Sequence, residues 1–548
     1  MTMTLNGVAV ANPATYLDAV RAALPDAGAQ VLAVMVGGEA RSLTDAPQDG
    51  DVAVAVTYCD AEGRRVYERS LRFLFLLAVD QLMPGVRVRL EHSFGNGIYV
   101  RIHSEQPLTV RAIKAIDARM RELAERDLPF TREDVPVDRA MEIFRAKGQM
   151  DKVRLLRHRS YDTFHLYRCG DMVEYFYGVM VPSTGYTPVF RLQFYLPGVV
   201  MMLPDPERPD RPSAFRDMPM LMHTFDESNR WNAILQCSNA ADLNEMTAQG
   251  RLREFIRINE ALHEKSINAI ADKFAASGAR LILIAGPSSS GKTTFSHRLS
   301  IALRVQGLRP MKLSLDDYYI DRDKIPLDEN GQQDLERLDT LDVPLFNDHL
   351  VRLLQGETVD TPLFDFKRAR RSEQTLPLRV DGDQPIIIEG IHGLNDALTD
   401  EIARGLKFKV YISALTSLNL DDHNRIRTTD VRLLRRMVRD FKFRGTPPER
   451  TIMMWPSVRN GEEKYIFPFQ EQADVMFNSS LAYEMAILKK YVHPILLSLP
   501  RESACYTQAR RLVKFLNYFL SSDVEDEIPP NSILREFIGG SCFYRDGE

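Results

Sequence analysis

The chain has 548 residues, 44% of them hydrophobic and 26% charged, and a formal net charge of −5. It is too long for one hydrophobic core and predicts about three or four domains at ~150 residues each, while the charge excludes a global attraction to nucleic acid. The five cysteines, Cys59, Cys169, Cys237, Cys505 and Cys542, are far apart and odd in number, and no apolar run reaches the ~20 residues of a membrane span. Neither a disulfide scaffold nor a Cys-x-x-Cys metal site is suggested, no membrane partner is expected, and a reducing cytoplasm is expected. The start Met1 to Asn6 lacks the basic region of a targeting signal.

Residues 1–62 alternate short apolar runs with turn signals: Val8-Ala9-Val10, a helical Tyr16 to Leu24, Val31 to Val36, and Val52 to Val56 after Asp49-Gly50-Asp51. The pattern predicts a small β-grasp-like domain. From Arg69 the periodicity is helical through Met83 and stops at Pro84-Gly85. Phe94 to Val100 reads as a hairpin, and Val110 to Asp127 as a long amphipathic helix.

Three stretches, Arg69 to Ala78, Asn96-Gly97-Ile98-Tyr99 and Val181-Pro182-Ser183-Thr184-Gly185, resemble the N-terminal half of threonyl-tRNA synthetase. The resemblance covers residues 1 to about 200 and implies a TGS domain over 1–62 and an α+β editing-type domain over 63–200. In that family the first stretch begins H-S-x-x-H, and a Cys and a His precede the V-P-x-T-G-like segment; these four residues form the editing site. Here Arg69, Phe73, Phe176 and Met180 stand in those places. None supplies an imidazole or thiol, so the expectation is a retained fold without editing chemistry, serving as a scaffold or binding module.

Residues 201–279 open with the Pro-rich Leu203 to Pro212, an expected loop, and continue into a helix from Leu252 to Ala276. The alternating charges from Arg251 to Lys273 predict a solvated helix face. The apolar strand Leu281 to Ile284 then leads into Gly286-Pro287-Ser288-Ser289-Ser290-Gly291-Lys292-Thr293, which reads G-x-x-x-x-G-K-[ST], and Phe295 to Leu303 reads as the following helix. Strand, loop and helix come in the order a phosphate cradle requires. Glycines let the N–H groups of Gly286, Ser288, Ser289, Ser290, Gly291 and Thr294 turn on an anion, Lys292 reaches terminal phosphates, and the Thr293 hydroxyl suits Mg²⁺.

Two further strands end in acids. Met311 to Leu315 runs into Asp316-Asp317-Tyr318-Tyr319, and Pro385 to Ile388 runs into Glu389-Gly390. Ligands of open α/β sheets bind beyond the carboxyl ends of strands, so Asp316 or Asp317 is placed to take a hydroxyl proton and Glu389 to hold Mg²⁺ directly or through water. After strand Phe408 to Ile412, a helix carries Arg432, Arg435, Arg436, Arg439 and Arg444 and stops at Gly445. Arg439 and Arg444 are expected on a mobile segment that closes over the transferring phosphoryl group.

These elements resemble the uridine kinase and phosphoribulokinase family from about residue 280 to 495, with Leu313 to Tyr319, Thr361 to Phe366, Ile387 to Gly390, Arg435 to Asp440 and Tyr465 to Asn478 carrying the match beside the loop. The resemblance implies ATP and Mg²⁺ as cofactors, Asp316 as base, Glu389 and Thr293 on the metal, and Arg436, Arg439 and Arg444 over the phosphates. Tyr319, Asp339, Asp342, Phe364 and Phe366 are the implied acceptor-side residues, with the ribose-binding role open between Asp339 and Asp342. The family meets its pyrimidine with a Tyr and a His; Phe364 and Ala369 occupy those places here, and Thr446 follows Gly445 where the family has Arg. Uridine specificity is thereby put in doubt, while hydroxyl phosphorylation is not.

The expected architecture is α/β: a P-loop kinase domain with a parallel sheet over 280–497, preceded by the β-grasp unit, the editing-like domain and a connecting helical region over 201–279, and followed by an extension over 498–548. That extension, with a helical Ala509 to Leu520, is expected to pack on the kinase domain or form a contact in a homo-oligomer. The expected activity is ATP-dependent phosphorylation of a primary hydroxyl on a nucleoside or related ribosyl compound. The competing expectation is an RNA- or ribosome-associated ATP-binding switch, with RNA contact through the TGS-like half. Against it stand the lack of an N-K-x-D guanine-reading motif and the presence of Asp316, which needs an acceptor hydroxyl.

Overall fold

The computed structural model describes residues 2–26, 30–159, 162–325, 334, 336–365, 368 and 370–544. Strands β1 (Thr2–Leu5) and β2 (Val8–Ala11), helix α1 (Tyr16–Ala23) and strands β3 (Val31–Val36), β4 (Glu39–Arg41) and β5 (Val52–Thr57) form the first unit. The sheet order is β2-β1-β5-β3-β4, with β1 parallel to β5 and the other pairs antiparallel. Thr15 and Asp18 cap α1 reciprocally, and Tyr16, Ala19 and Val20 share a core with Met3, Leu5 and Val34. This is a β-grasp arrangement. Strands β1 and β4 are too short for periodicity to reveal.

Helix α2 (Ala61–Leu82) is followed by β6 (Arg87–Phe94), β7 (Gly97–His103), α3 (Val110–Glu125), β8 (Thr131–Pro136), α4 (Val137–Ala146), α5 (Met150–Leu156), β9 (Thr163–Cys169), β10 (Met172–Glu174), β11 (Arg191–Tyr195) and β12 (Gly198–Met202). The strands make two antiparallel sheets, β11-β12-β7-β6 and β10-β9-β8, so this unit is α+β. Two expected boundaries coincide with regular elements. Helix α2 begins at Ala61, so the break at 62/63 falls inside a helix, and β12 pairs Met202 with Gly97, so the break at 200/201 falls inside a strand.

Helices α6 (Pro219–Ile234), α7 (Ala240–Ala248) and α8 (Leu252–Ser277) lead to the kinase half. The charged run on α8 is solvated at Arg253 and Arg257, which meet Asp526 and Glu527 at 2.6 and 2.7 Å, but not at Glu260 and His263, which are buried. Next come β13 (Leu281–Ala285), α9 (Lys292–Val305), β14 (Met311–Ser314), α10 (Val343–Leu354), β15 (Thr358–Asp365), β16 (Arg370–Arg379), β17 (Ile386–Glu389) and β18 (Lys407–Ser413). They are followed by β19 (Asn419–Asp421), β20 (Asn424–Arg425), α11 (Thr428–Arg444), α12 (Pro448–Tyr465), β21 (Val475–Asn478), α13 (Glu484–Leu497), α14 (Tyr506–Leu516) and α15 (Arg535–Ile538).

The kinase sheet is parallel throughout, in the order β14-β17-β13-β18-β21. Its central strand β13 is fully buried, as an apolar run covered on both faces should be. Leu512, Leu516, Ile533 and Phe537 join the core that holds Phe295, Leu434 and Leu488, so residues 506–538 are built into the kinase half and are no appendage. Among the described residues no helix is long and apolar enough to cross a membrane.

Candidate active site

The loop between β13 and α9 has the backbone that its glycines allow. A side chain at Gly286 would meet the Ile412 carbonyl oxygen at 1.9 Å, and Gly291 has φ +85°, which L-residues rarely adopt. Ser289 also lies at positive φ, +58°. Lys292 opens α9 and folds back over the loop, its Nζ donating to the Gly286 and Pro287 carbonyls at 2.9 and 3.2 Å. The Ser289 and Ser290 hydroxyls are buried with no hydrogen-bond partner among the described residues.

Parallel pairing brings the acids to this loop. Glu389 ends β17, in register with Ile284 of β13 on one side and with Ser314 of β14 on the other. It accepts the Thr293 hydroxyl at 2.6 Å. Asp316 follows β14 in a short turn where its N–H donates to Ser314 Oγ at 3.2 Å. Burial raises the pKa of Asp316, with Lys292 opposing and Asp317 reinforcing the shift. Burial likewise raises Glu389, against the Thr293 bond and Lys292. It lowers Lys292, against Glu389, Glu536, Glu462 and Asp316.

On the acceptor side, Asp317 accepts the Phe364 N–H at 3.3 Å, and the Tyr319 and Phe364 rings lie 5.8 Å apart. Asp342 caps α10 by accepting from Leu345 N at 3.2 Å and pairs with Arg371 at 3.0 Å. Asp339 pairs with Arg337, two residues away, and its side chain is about half exposed. Phe366 lies outside the described residues, as does Ala369.

Helix α11 packs one face into the core, the face that carries Arg432 and Arg435. Its Leu433, Leu434, Met437 and Val438 are in the core. Arg432 forks onto Glu462 at 2.5 and 2.6 Å, and Arg435 reaches Glu484 at 2.6 Å, all four side chains being buried. Charge is visible in sequence, but the buried partner of a charge is not. Arg436 donates to Ser288 Oγ at 2.9 Å, while Arg439 and Arg444 gather on Asp440 at 2.9 and 3.6 Å.

Three acids that sequence reasoning missed face the site. Glu462 of α12 accepts the Ser288 N–H at 3.0 Å, and Glu536 of α15 accepts the Thr294 hydroxyl at 2.7 Å and its N–H at 3.4 Å. Glu336, raised to about 7 by burial, by Glu462 and by Asp334, lies in the fields of Arg436 and Lys292. No local pattern marks them, because each arrives through tertiary packing. With Glu389 on Thr293, three residues that a phosphate cradle would turn toward an anion already hold carboxylates, which is how such donors behave.

This donor set fits a triphosphate with Mg²⁺. The loop offers N–H groups, a lysine and free hydroxyls, and Thr293 with Glu389 offers the one or two protein oxygens that Mg²⁺ takes when phosphates complete its shell. Among the described residues no cluster of three or more His, Cys, Asp or Glu forms a metal site by itself.

A phosphate loop between a buried parallel strand and a helix, with acids at two neighbouring strand tips, defines a P-loop phosphotransferase. The model of the phosphoribulokinase / uridine kinase family matches residues 281–485. A uridine kinase of Lactobacillus helveticus is 30% identical over 208 residues, covering 38% of this chain and 90% of that enzyme. The chain belongs to the phosphoribulokinase/uridine kinase family, and its N-terminal part is threonyl-tRNA synthetase-like. A threonine–tRNA ligase of Nitratidesulfovibrio vulgaris is 31% identical over 185 residues, which are 33% of this chain and only 29% of the ligase. A solved structure described as a possible uridine kinase from Bacillus stearothermophilus overlaps 38% of this chain and 96% of its own, at 21% identity and a TM-score of 0.27.

In the synthetase-like half, Phe73, Phe176 and Met180 are buried in one apolar cluster. The Arg69 guanidinium donates to the Val179 carbonyl and to Glu62.

Proposed function

We propose that the chain transfers the γ-phosphoryl group of ATP to a primary hydroxyl of a nucleoside or related ribosyl compound. The observation that supports this reading is that Glu389, at a strand tip bonded to Thr293, and Asp316, after the neighbouring strand, stand beside Lys292 at the start of α9. Lys292 and the N–H groups of residues 286–294 would hold the phosphates, and Thr293 with Glu389 the Mg²⁺. Bound there, the ion neutralises charge on the phosphoryl oxygens. Asp316 takes the proton of the acceptor hydroxyl as its oxygen attacks, and burial makes that carboxylate a stronger base than an exposed one.

Arg436, Arg439 and Arg444 would stabilise charge on the transferring group. Tyr319 and Phe364 flank the acceptor. Asp339 or Asp342 would meet the ribose hydroxyls; each already has a partner, Asp339 in Arg337 and Asp342 in Leu345 and Arg371. Glu536 sits on Thr294, so nucleotide entry must displace it.

The test is acceptor-dependent product formation by the full chain with ATP and Mg²⁺ against a panel of nucleosides, pantothenate and ribulose 5-phosphate, read by mass spectrometry. A phosphorylated nucleoside-type product is expected. Acceptor-independent hydrolysis stimulated by tRNA, with no phosphorylated acceptor, would instead favour an RNA-associated switch.

A further inference from the structure

The seam between α2 and the kinase half carries unbalanced charge. On α2, Arg65, Glu68 and Arg72 fall at i, i+3 and i+7 and share a face. Opposite them stand Arg425 of β20 and Arg427, the residue before α11. Glu68 accepts from Arg72, from Arg425 at 3.1 Å and from Arg427 at 2.5 Å, so three guanidiniums share one carboxylate. Arg65 and Arg69 share Glu62, and Arg511 takes both oxygens of Asp430 at 2.6 Å.

Six arginines thus face three carboxylates. A further acid, Asp421, reaches Arg72 with its field, but burial raises its pKa to about 7 and Lys152 also draws on it. Glu68, Arg72 and Arg425 side chains are each no more than 7% exposed, whereas Arg427 is 27% exposed and opens the cluster to solvent. The Nε atoms of Arg65, Arg72 and Arg425 are buried without an acceptor among the described residues.

Unbalanced charge away from water is costly, and guanidinium does not relieve it by losing a proton. An added anion does relieve it. Several arginine forks converging from two elements match the oxygens of a tetrahedral dianion. We propose that this seam binds a phosphate group, through Arg72, Arg425 and Arg427, the three guanidiniums gathered on Glu68. The site does not include the nucleotide loop: the nearest α11 residue bonded to that loop, Arg432 on the Ser288 carbonyl, lies about 8 Å further along the helix axis than Arg427 at 1.5 Å per residue. The phosphate comes from inorganic phosphate or from the phosphoryl group of a nucleotide, which share this chemistry.

The test uses the full chain carrying Lys292→Met, so that the nucleotide loop does not dominate. Thermal shift and calorimetric titration are run with sodium phosphate, with a nucleoside 5′-monophosphate, and with sodium chloride at matched ionic strength. Saturable binding of phosphate, absent with chloride, is expected. It should weaken at least tenfold in Arg427→Gln and in Arg427→Lys, which keeps the charge and loses the fork, and tighten in Glu68→Gln, where the competing carboxylate is gone. Equal affinity for both phosphate ligands identifies inorganic phosphate as sufficient; tighter monophosphate binding identifies the nucleotide. A response no greater than that to chloride, or one unaffected by both Arg427 variants in chains whose circular dichroism matches the parent, overturns the proposal.

Discussion

Replacing Glu536 by Gln probes how the C-terminal segment bears on nucleotide binding. The carboxylate accepts from the Thr294 hydroxyl at 2.7 Å and N–H at 3.4 Å, and its charge contributes to the raised pKa of Glu389. A hydrogen bond to a charged group is worth ~1.5–3 kcal/mol, against ~0.5–1.5 for a neutral one. Glutamine keeps the shape and loses the charge, so occupancy of Thr294 weakens by about 1–1.5 kcal/mol, and repulsion of an incoming phosphate also falls. At 1.4 kcal/mol per decade, the Kd for ATP should drop about tenfold. The assay is titration of the full chain with a fluorescent ATP analogue in the presence of Mg²⁺. An unchanged Kd would mean that Glu536 does not compete with phosphate. A weaker one would mean that its charge helps to hold the nucleotide, and either result refutes the reasoning.

Three other outcomes are expected. Glu336 has a folded pKa raised from 4.5 to about 7, so the folded state binds the extra proton and stability declines as pH rises through that window. Glu336→Gln should therefore stabilise the chain at pH 8 by up to about 3 kcal/mol and change little at pH 4, as read by urea unfolding at the two pH values. Arg432→Met leaves Glu462 buried and less well paired, which should cost ~3–5 kcal/mol in the same assay and loosen Ser288, raising KM for ATP. Gly291→Ala strains a φ of +85° and puts a methyl 2.4 Å from Ile533 Cγ2. ATP binding should be lost, and adding Ile533→Ala should restore part of the stability but little of the binding, because the backbone strain remains.

The phosphate loop was legible because strand, turn and helix are contiguous and each carries its own period; Asp316 and Glu389 were legible because each directly follows an apolar strand. Glu462 and Glu536 were not. Both reach the loop from segments more than 170 residues away, and neither breaks a local pattern. The arginines of α11 show the same limit: Arg432 and Arg435 are structural because Glu462 and Glu484 meet them in the core, a fact about packing rather than about the helix. In the N-terminal half, the pattern gave the β-grasp helix and long strands, whereas the sheet of β8, β9 and β10 went unread. Its Thr131 to Pro136 strand is mostly polar and its Met172 to Glu174 strand spans three residues.

The central claim is that Asp316 acts as base for phosphoryl transfer to a hydroxyl, and it is tested most directly by following label from [γ-³²P]ATP into the acceptor with wild-type chain and Asp316→Asn. The account predicts acceptor labelling by the wild type, a fall of ~10²–10⁴-fold in kcat for the variant, and ATP affinity within a few-fold of wild type. Equal turnover by the two chains would contradict it.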